Sequence, residues 1–131
     1  MPNIKFTYLY RDGSNYKNWA EVVFSNPKRL HSDQISRRIS SSFLVDGLFI
    51  AHQVRIREIF LAAEYGLTID DHCYHEFDSV ESTRAAATDP LNRSIGQFLC
   101  EIEREAHRGW KAFNQEDRDS LISSPESFKK T

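Results

Sequence analysis

Apolar and polar residues alternate from the start of the chain with a period of two. Ile4, Phe6, Tyr8 and Tyr10 fall on one side of an extended segment, and Lys5, Thr7 and Leu9 on the other. After the turn signal Asp12-Gly13 and a polar loop, the run WAEVVF (19–24) resumes the alternation with aromatic and β-branched residues suited to a pleated sheet. This pattern predicts an antiparallel hairpin over residues 4–10 and 19–24 whose apolar face needs a cover.

Asn26-Pro27 ends the second strand, because proline lacks a ladder donor and biases its predecessor away from helix. A period of 3.6 then takes over. Ile35, Ile39 and Phe43 recur at helical spacing and predict a helix over 32–43, with Ser32 as cap, Asp33 at its positive end, and Arg37 and Arg38 facing outward. Leu48, Ile50, His52 and Val54 alternate again, predicting a strand at 48–53, and the better helix formers of REIFLAAEY predict a short helix at 56–65. CYHEF (73–77) reads as another strand and 79–88 as a polar surface connection. Asp89-Pro90 has the form of a helix start, and Leu91, Ile95, Phe98, Leu99, Ile102 and Ala106 predict a helix over 91–107 that Gly109 stops. Without regular β-α-β spacing, these elements define an α+β fold: a small antiparallel sheet of three to four strands with two to three helices packed on one face. Residues 1–113 form the single domain and 114–131 a polar C-terminal tail.

Composition supports that reading. The 131 residues include nine Phe, five Tyr and two Trp, enough to build one core without cross-links. The longest apolar run, residues 59–63, is far short of the ~20 a membrane helix needs, and the N-terminus lacks the layout of a signal peptide. With Cys73 and Cys100 as the two cysteines, the expectation is a cytoplasmic protein with free thiols and no membrane association. The net charge of −2 is divided unevenly: residues 1–60 carry nine Lys/Arg against five Asp/Glu, residues 61–131 eight against fourteen. Such asymmetry concerns partners rather than fold.

The densest chemistry lies in DDHCYHEFD (70–78). Its His72, Cys73 and His75, with His52 from outside, are of the types that ligate zinc or another divalent metal. In an extended segment Cys73 and His75 share a face and Glu76 lies on the other, so the segment supplies at most two ligands, and no known metal spacing such as HExxH is present. Cys73 beside a histidine also has the types of a nucleophile pair, with His52 as base, against the commoner case of a buried structural cysteine; Cys100 reads as core or near-core. The loop 11–18 offers Arg11 and Lys17 to an anionic group but lacks the glycines of a P-loop. Tyr8, Tyr10, Tyr16 and Trp19 could stack on single-stranded nucleic acid, yet the acidic balance argues against such a partner and places most of these rings under helices.

The segments YLYRDGSNYKNWAEVVFSNP and HCYHEFDSV resemble those of a family of small bacterial proteins with no assigned activity. That resemblance implies a stand-alone bacterial domain and transfers no functional residue. The functional expectation is therefore a non-enzymatic protein, regulatory or defence-related, acting through a protein partner or self-association. Arg11, Lys17, Asp70, Asp71 and Glu76 are the expected binding groups, the acidic ones meeting a basic partner or a second copy's basic half. No cofactor is expected; the alternative is a metal-dependent enzyme or metal-stabilised domain using His72, Cys73, His75 and His52.

Overall fold

A computed structural model describes residues 2–61, 66–68 and 71–115 of the chain. The expected hairpin is its centre. Strands β1 (Asn3–Arg11) and β2 (Lys17–Phe24) pair in one unbroken register from Ile4 opposite Phe24 to Arg11 opposite Lys17. Their loop is closed by Asp12, whose side chain accepts from the amides of Ser14 and Tyr16 (2.9 Å each), while Asn15 takes the left-handed conformation the turn requires.

Two further strands, β3 (Leu48–Phe49) and β4 (His75–Thr83), complete an antiparallel sheet in the order β2-β1-β4-β3. The architecture is the expected α+β fold, but several element boundaries differ. β4 begins two residues later than expected and runs on through Thr83, taking in part of the expected polar connection. Its far half reads as a loop because β3 pairs only with His75 and Glu76, so β4 beyond them is paired on one side and stays polar. Phe77 and Val80, three apart, should lie on opposite faces. A register shift against Thr7 and Tyr8 inserts Asp78 as an extra residue and turns both onto the core. The strand expected at 48–53 stops after Phe49, because Ile50, Ala51 and Val54 are all buried and Ala51–Val54 winds into a 3-10 turn. The helix expected at 56–65 does not form over 56–60, which are irregular, and 62–65 lie outside the described residues.

Helices α1 (Ser32–Ser42) and α2 (Ile95–Arg108) cover one face of the sheet. The residue flanking α1 is His31 rather than Ser32, and Gln34 Oε1 accepts from its amide (3.1 Å). α2 starts later than Asp89-Pro90 suggests: Asn92 is left-handed, and Ser94 and Gln97 form a reciprocal cap at 3.1 and 2.9 Å. Gly109 ends it at φ 100°, as expected. Arg38, expected to face outward, makes a two-pronged bond to Glu103 of α2 at 2.7 and 2.8 Å, and the Trp110 indole donates to the Ser42 carbonyl (3.0 Å). Phe6 lies at the middle of the core, its ring 5.3–6.1 Å from those of Phe98, Phe77, Tyr8 and Phe49.

Asp89 has a different task from the one its sequence context suggests. It is buried and binds Arg93 at 2.9 and 3.0 Å. Arg93, itself buried, also donates to Glu101 (3.2 Å) and to the carbonyls of Val54 and Arg55 (2.7 and 3.0 Å), and its guanidinium lies over the rings of Phe24 and Phe98. Arg55 closes the network on Glu101 with two 2.7 Å bonds. One cation thereby ties the 3-10 turn, the end of β2 and α2 together.

Candidate functional site

Both described helices lie on one side, so among the described residues no helix covers the other face of the sheet. There a depression of about 550 Å³ opens between the end of β1, the turn before β3 and the entry to β4, lined by Arg11, Asp12, Asp46, Leu48, His72, Tyr74 and Glu76. Leu48 and Leu9 flank Glu76 in register on the floor of this face. The rim at Asp46-Gly47 is a turn in which both residues have positive φ; a Cβ on Gly47 would come within 3.4 Å of Phe77, so the turn needs glycine there. The lining carries three carboxylates against one guanidinium, two of them, Asp12 and Asp46, from the otherwise basic half of the chain.

Arg11 and Glu76, two of the expected binding groups, meet here. They pair at 3.1 and 3.4 Å, and Arg11 also binds Asn15 at 2.5 Å, so its charge is spent within the molecule. Lys17 is exposed opposite Arg11 in register. Asp71 has a supporting role: it takes the Tyr10 hydroxyl at 2.5 Å and the Thr68 amide at 2.9 Å. Burial, and then the Asp71 bond, push that phenol far above its ordinary pKa. Asp70 lies outside the described residues.

The histidines and cysteine are not gathered. His72 accepts from the Tyr74 amide on Nδ1 (3.0 Å) and lies 2.7 Å from the Arg11 carbonyl through Nε2, which therefore carries the proton. His75 is buried among Tyr8, Tyr10, Phe49 and Phe60, and its Nε2 accepts from the Ile59 amide at 2.9 Å. Burial, with smaller contributions from His72 and His52, lowers its pKa to about 3, so the ring is neutral. Cys73 is buried as well, which raises its thiol pKa. His52 packs against Phe113. Among the described residues no group of three or more His, Cys, Asp or Glu is placed to hold a metal ion. Cys100, expected in or near the core, is exposed, because the buried stripe of α2 runs through Phe98, Leu99 and Ile102 and leaves position 100 on the outer flank. Tyr8 and Tyr10 are buried, Tyr8 against Phe49 and His75 and Tyr10 against Phe60, His72 and His75 rather than against a helix, whereas Tyr16 and Trp19 are exposed.

Sequence reasoning did not assign Asp12, Asp46, Leu48 or Tyr74 to a site; the available signals were the Asp12-Gly13 and Asp46-Gly47 turns. Gln115, in the expected tail, is buried and bonds Tyr10 Oη (2.9 Å) and the His72 carbonyl (2.6 Å), and 116–131 lie outside the described residues. Comparison of the chain with protein-family models, with curated protein sequences and with solved structures gives no significant match. No helix among the described residues is long and apolar enough to cross a membrane.

Proposed function

We propose that this protein is a non-enzymatic binding module that receives a basic segment of another protein in the depression on the helix-free sheet face. The carrying observation is the composition of that depression: Asp12, Asp46 and Glu76 around Leu48 and Tyr74, with a single guanidinium already bound to Glu76. Carboxylates on an apolar floor suit lysine or arginine side chains, whose stems pack while their charges pair. His72, His75, Cys73 and Asp71 are each taken up by internal hydrogen bonds or burial, which favours binding over catalysis for this face. Two free cysteines accord with a cytoplasmic setting.

An oligolysine peptide with one aromatic residue, titrated into labelled protein, tests the reading. Amide shifts are expected at Asp46, Leu48, Tyr74 and Glu76, with affinity falling roughly tenfold for Asp46→Asn/Glu76→Gln and falling with added salt. Shifts elsewhere, or none at millimolar peptide, overturn it.

A further inference from the structure

The main chain of β2 has a second, outward side. Val23 turns its amide and carbonyl away from β1: the amide donates to Thr88 Oγ1 (2.9 Å), and the carbonyl accepts from the amides of Thr88 and Asp89 (2.8 and 3.3 Å). Strand groups alternate with a period of two, so Lys17, Trp19 and Glu21 also direct their amides and carbonyls outward. The Asp12 amide bound to the Tyr16 carbonyl at 3.0 Å fixes the same phase from the hairpin end. Among the described residues no hydrogen bond reaches these outward groups. The open edge is bounded, by Thr88 beyond Glu21 and by the hairpin loop before Lys17. Lys17, Trp19 and Glu21 share the helix-free face and are exposed, the indole by 51%.

We propose that this edge pairs antiparallel with the same edge of a second copy of the chain, about a two-fold axis through Trp19. The occupant is selected by charge. Lys17 and Glu21 stand symmetrically about Trp19, so the axis sets each Lys17 opposite the other copy's Glu21, and no like charges face each other. Glu21 is only loosely engaged within the chain: its intrachain cation, Lys5, is 3.8 Å away and lies closer to Glu81, at 2.7 Å. The three opposed pairs are all of the hydrogen-bonded kind and together exchange about six main-chain bonds. The two exposed indoles cover one another at the axis. The nearest alternative registers, with the axis at residue 18 or 20, keep only two of the three hydrogen-bonded pairs and set Lys17 or Glu21 opposite Trp19, giving up the charge pairing. The two copies then share one continuous sheet, and the depression, on the same face but between β1, β3 and β4, lies outside the paired edge.

Sedimentation of the full chain, from micromolar to millimolar, is expected to show the mass rising from 15.2 kDa toward its double. Lys17→Glu and Glu21→Lys each oppose like charges at both outer pairs and weaken the dimer roughly tenfold or more. Mixing the two variants restores association as a one-to-one heterodimer, since both outer positions are acidic in one copy and basic in the other, and every outer pair again joins opposite charges. Circular dichroism of each variant checks the fold. A wild type that stays monomeric at millimolar concentration overturns the proposal. So does a dimer indifferent to both charge reversals, or a pair of variants that mixing does not rescue.

Discussion

Arg93→Met removes one buried cation and leaves its partners in place. Asp89 is buried, and Arg93 is its only side-chain cation among the described residues, whereas Glu101 keeps two 2.7 Å bonds from Arg55. Methionine occupies much of the space over Phe24 and Phe98, so the cost comes from the stranded carboxylate and from the carbonyls of Val54 and Arg55 that lose their donor. Breaking a buried pair from one side costs about 3–5 kcal/mol. With a urea dependence of about 1–3 kcal/mol per molar for a small domain, the unfolding midpoint falls by roughly 2 M. The pH dependence is a sharper signature. In the wild type, burial alone would raise the Asp89 carboxyl, but the hydrogen bonds and charge of Arg93 outweigh it and hold the pKa below its ordinary value. A depressed folded pKa stabilises above the unfolded value of about 4, and that stability is lost as pH falls through the folded value. Without the Arg93 side chain, only the backbone amides of residues 91 and 93, which methionine keeps, still oppose burial, so the carboxyl rises and the variant gains relative stability on acidification. The gap between the two proteins is therefore widest near neutrality and narrows toward about pH 4. Urea titrations at several pH values, with Asp89→Asn/Arg93→Met expected to recover part of the loss, measure this directly. A loss below about 1 kcal/mol, or a gap that does not change with pH, refutes the reasoning.

Two further outcomes follow from buried groups. His75 stays neutral when folded, with a pKa of about 3, and is protonated when unfolded below its ordinary value. Its contribution is therefore fully present above about pH 6.5 and is lost as pH falls toward the folded value, at up to about 1.4 kcal/mol per pH unit. Replacing it with Gln flattens the stability profile between about pH 6.5 and 5, and an unchanged slope in urea titrations counts against this account. Native protein exposes Cys100 to a thiol reagent while Cys73 is buried, so one equivalent is expected to react promptly and the second only on unfolding; two prompt equivalents refute the burial of Cys73.

The local signals in the sequence determined the elements whose partners are near in the chain. The β1–β2 hairpin follows from alternation on either side of Asp12-Gly13, α1 from Ile35 and Ile39, and the end of α2 from Gly109. Each is a local preference that tertiary packing reinforces. Of the site, Arg11 and Glu76 were legible as charged groups, but their pairing was not, because it depends on β4 lying beside β1, 65 residues away in sequence. Burial and contacts made only in the folded chain decided the rest. The extra residue at Asp78 turns Phe77 and Val80 onto one face, a choice that period-two reading has no means to make. Asp89 looked like a cap because Pro90 follows it, but the buried Arg93 captured its carboxylate and Ser94 took the cap instead. His72 and His75 looked like ligands by type, until the Arg11 carbonyl and the Ile59 amide each took the Nε2 of one ring. For His72 and His75 a group brought in from elsewhere in the chain satisfies a polar atom that the local sequence leaves open. Burial makes that satisfaction decisive, because an unpaired polar group costs more in the interior than any local preference supplies.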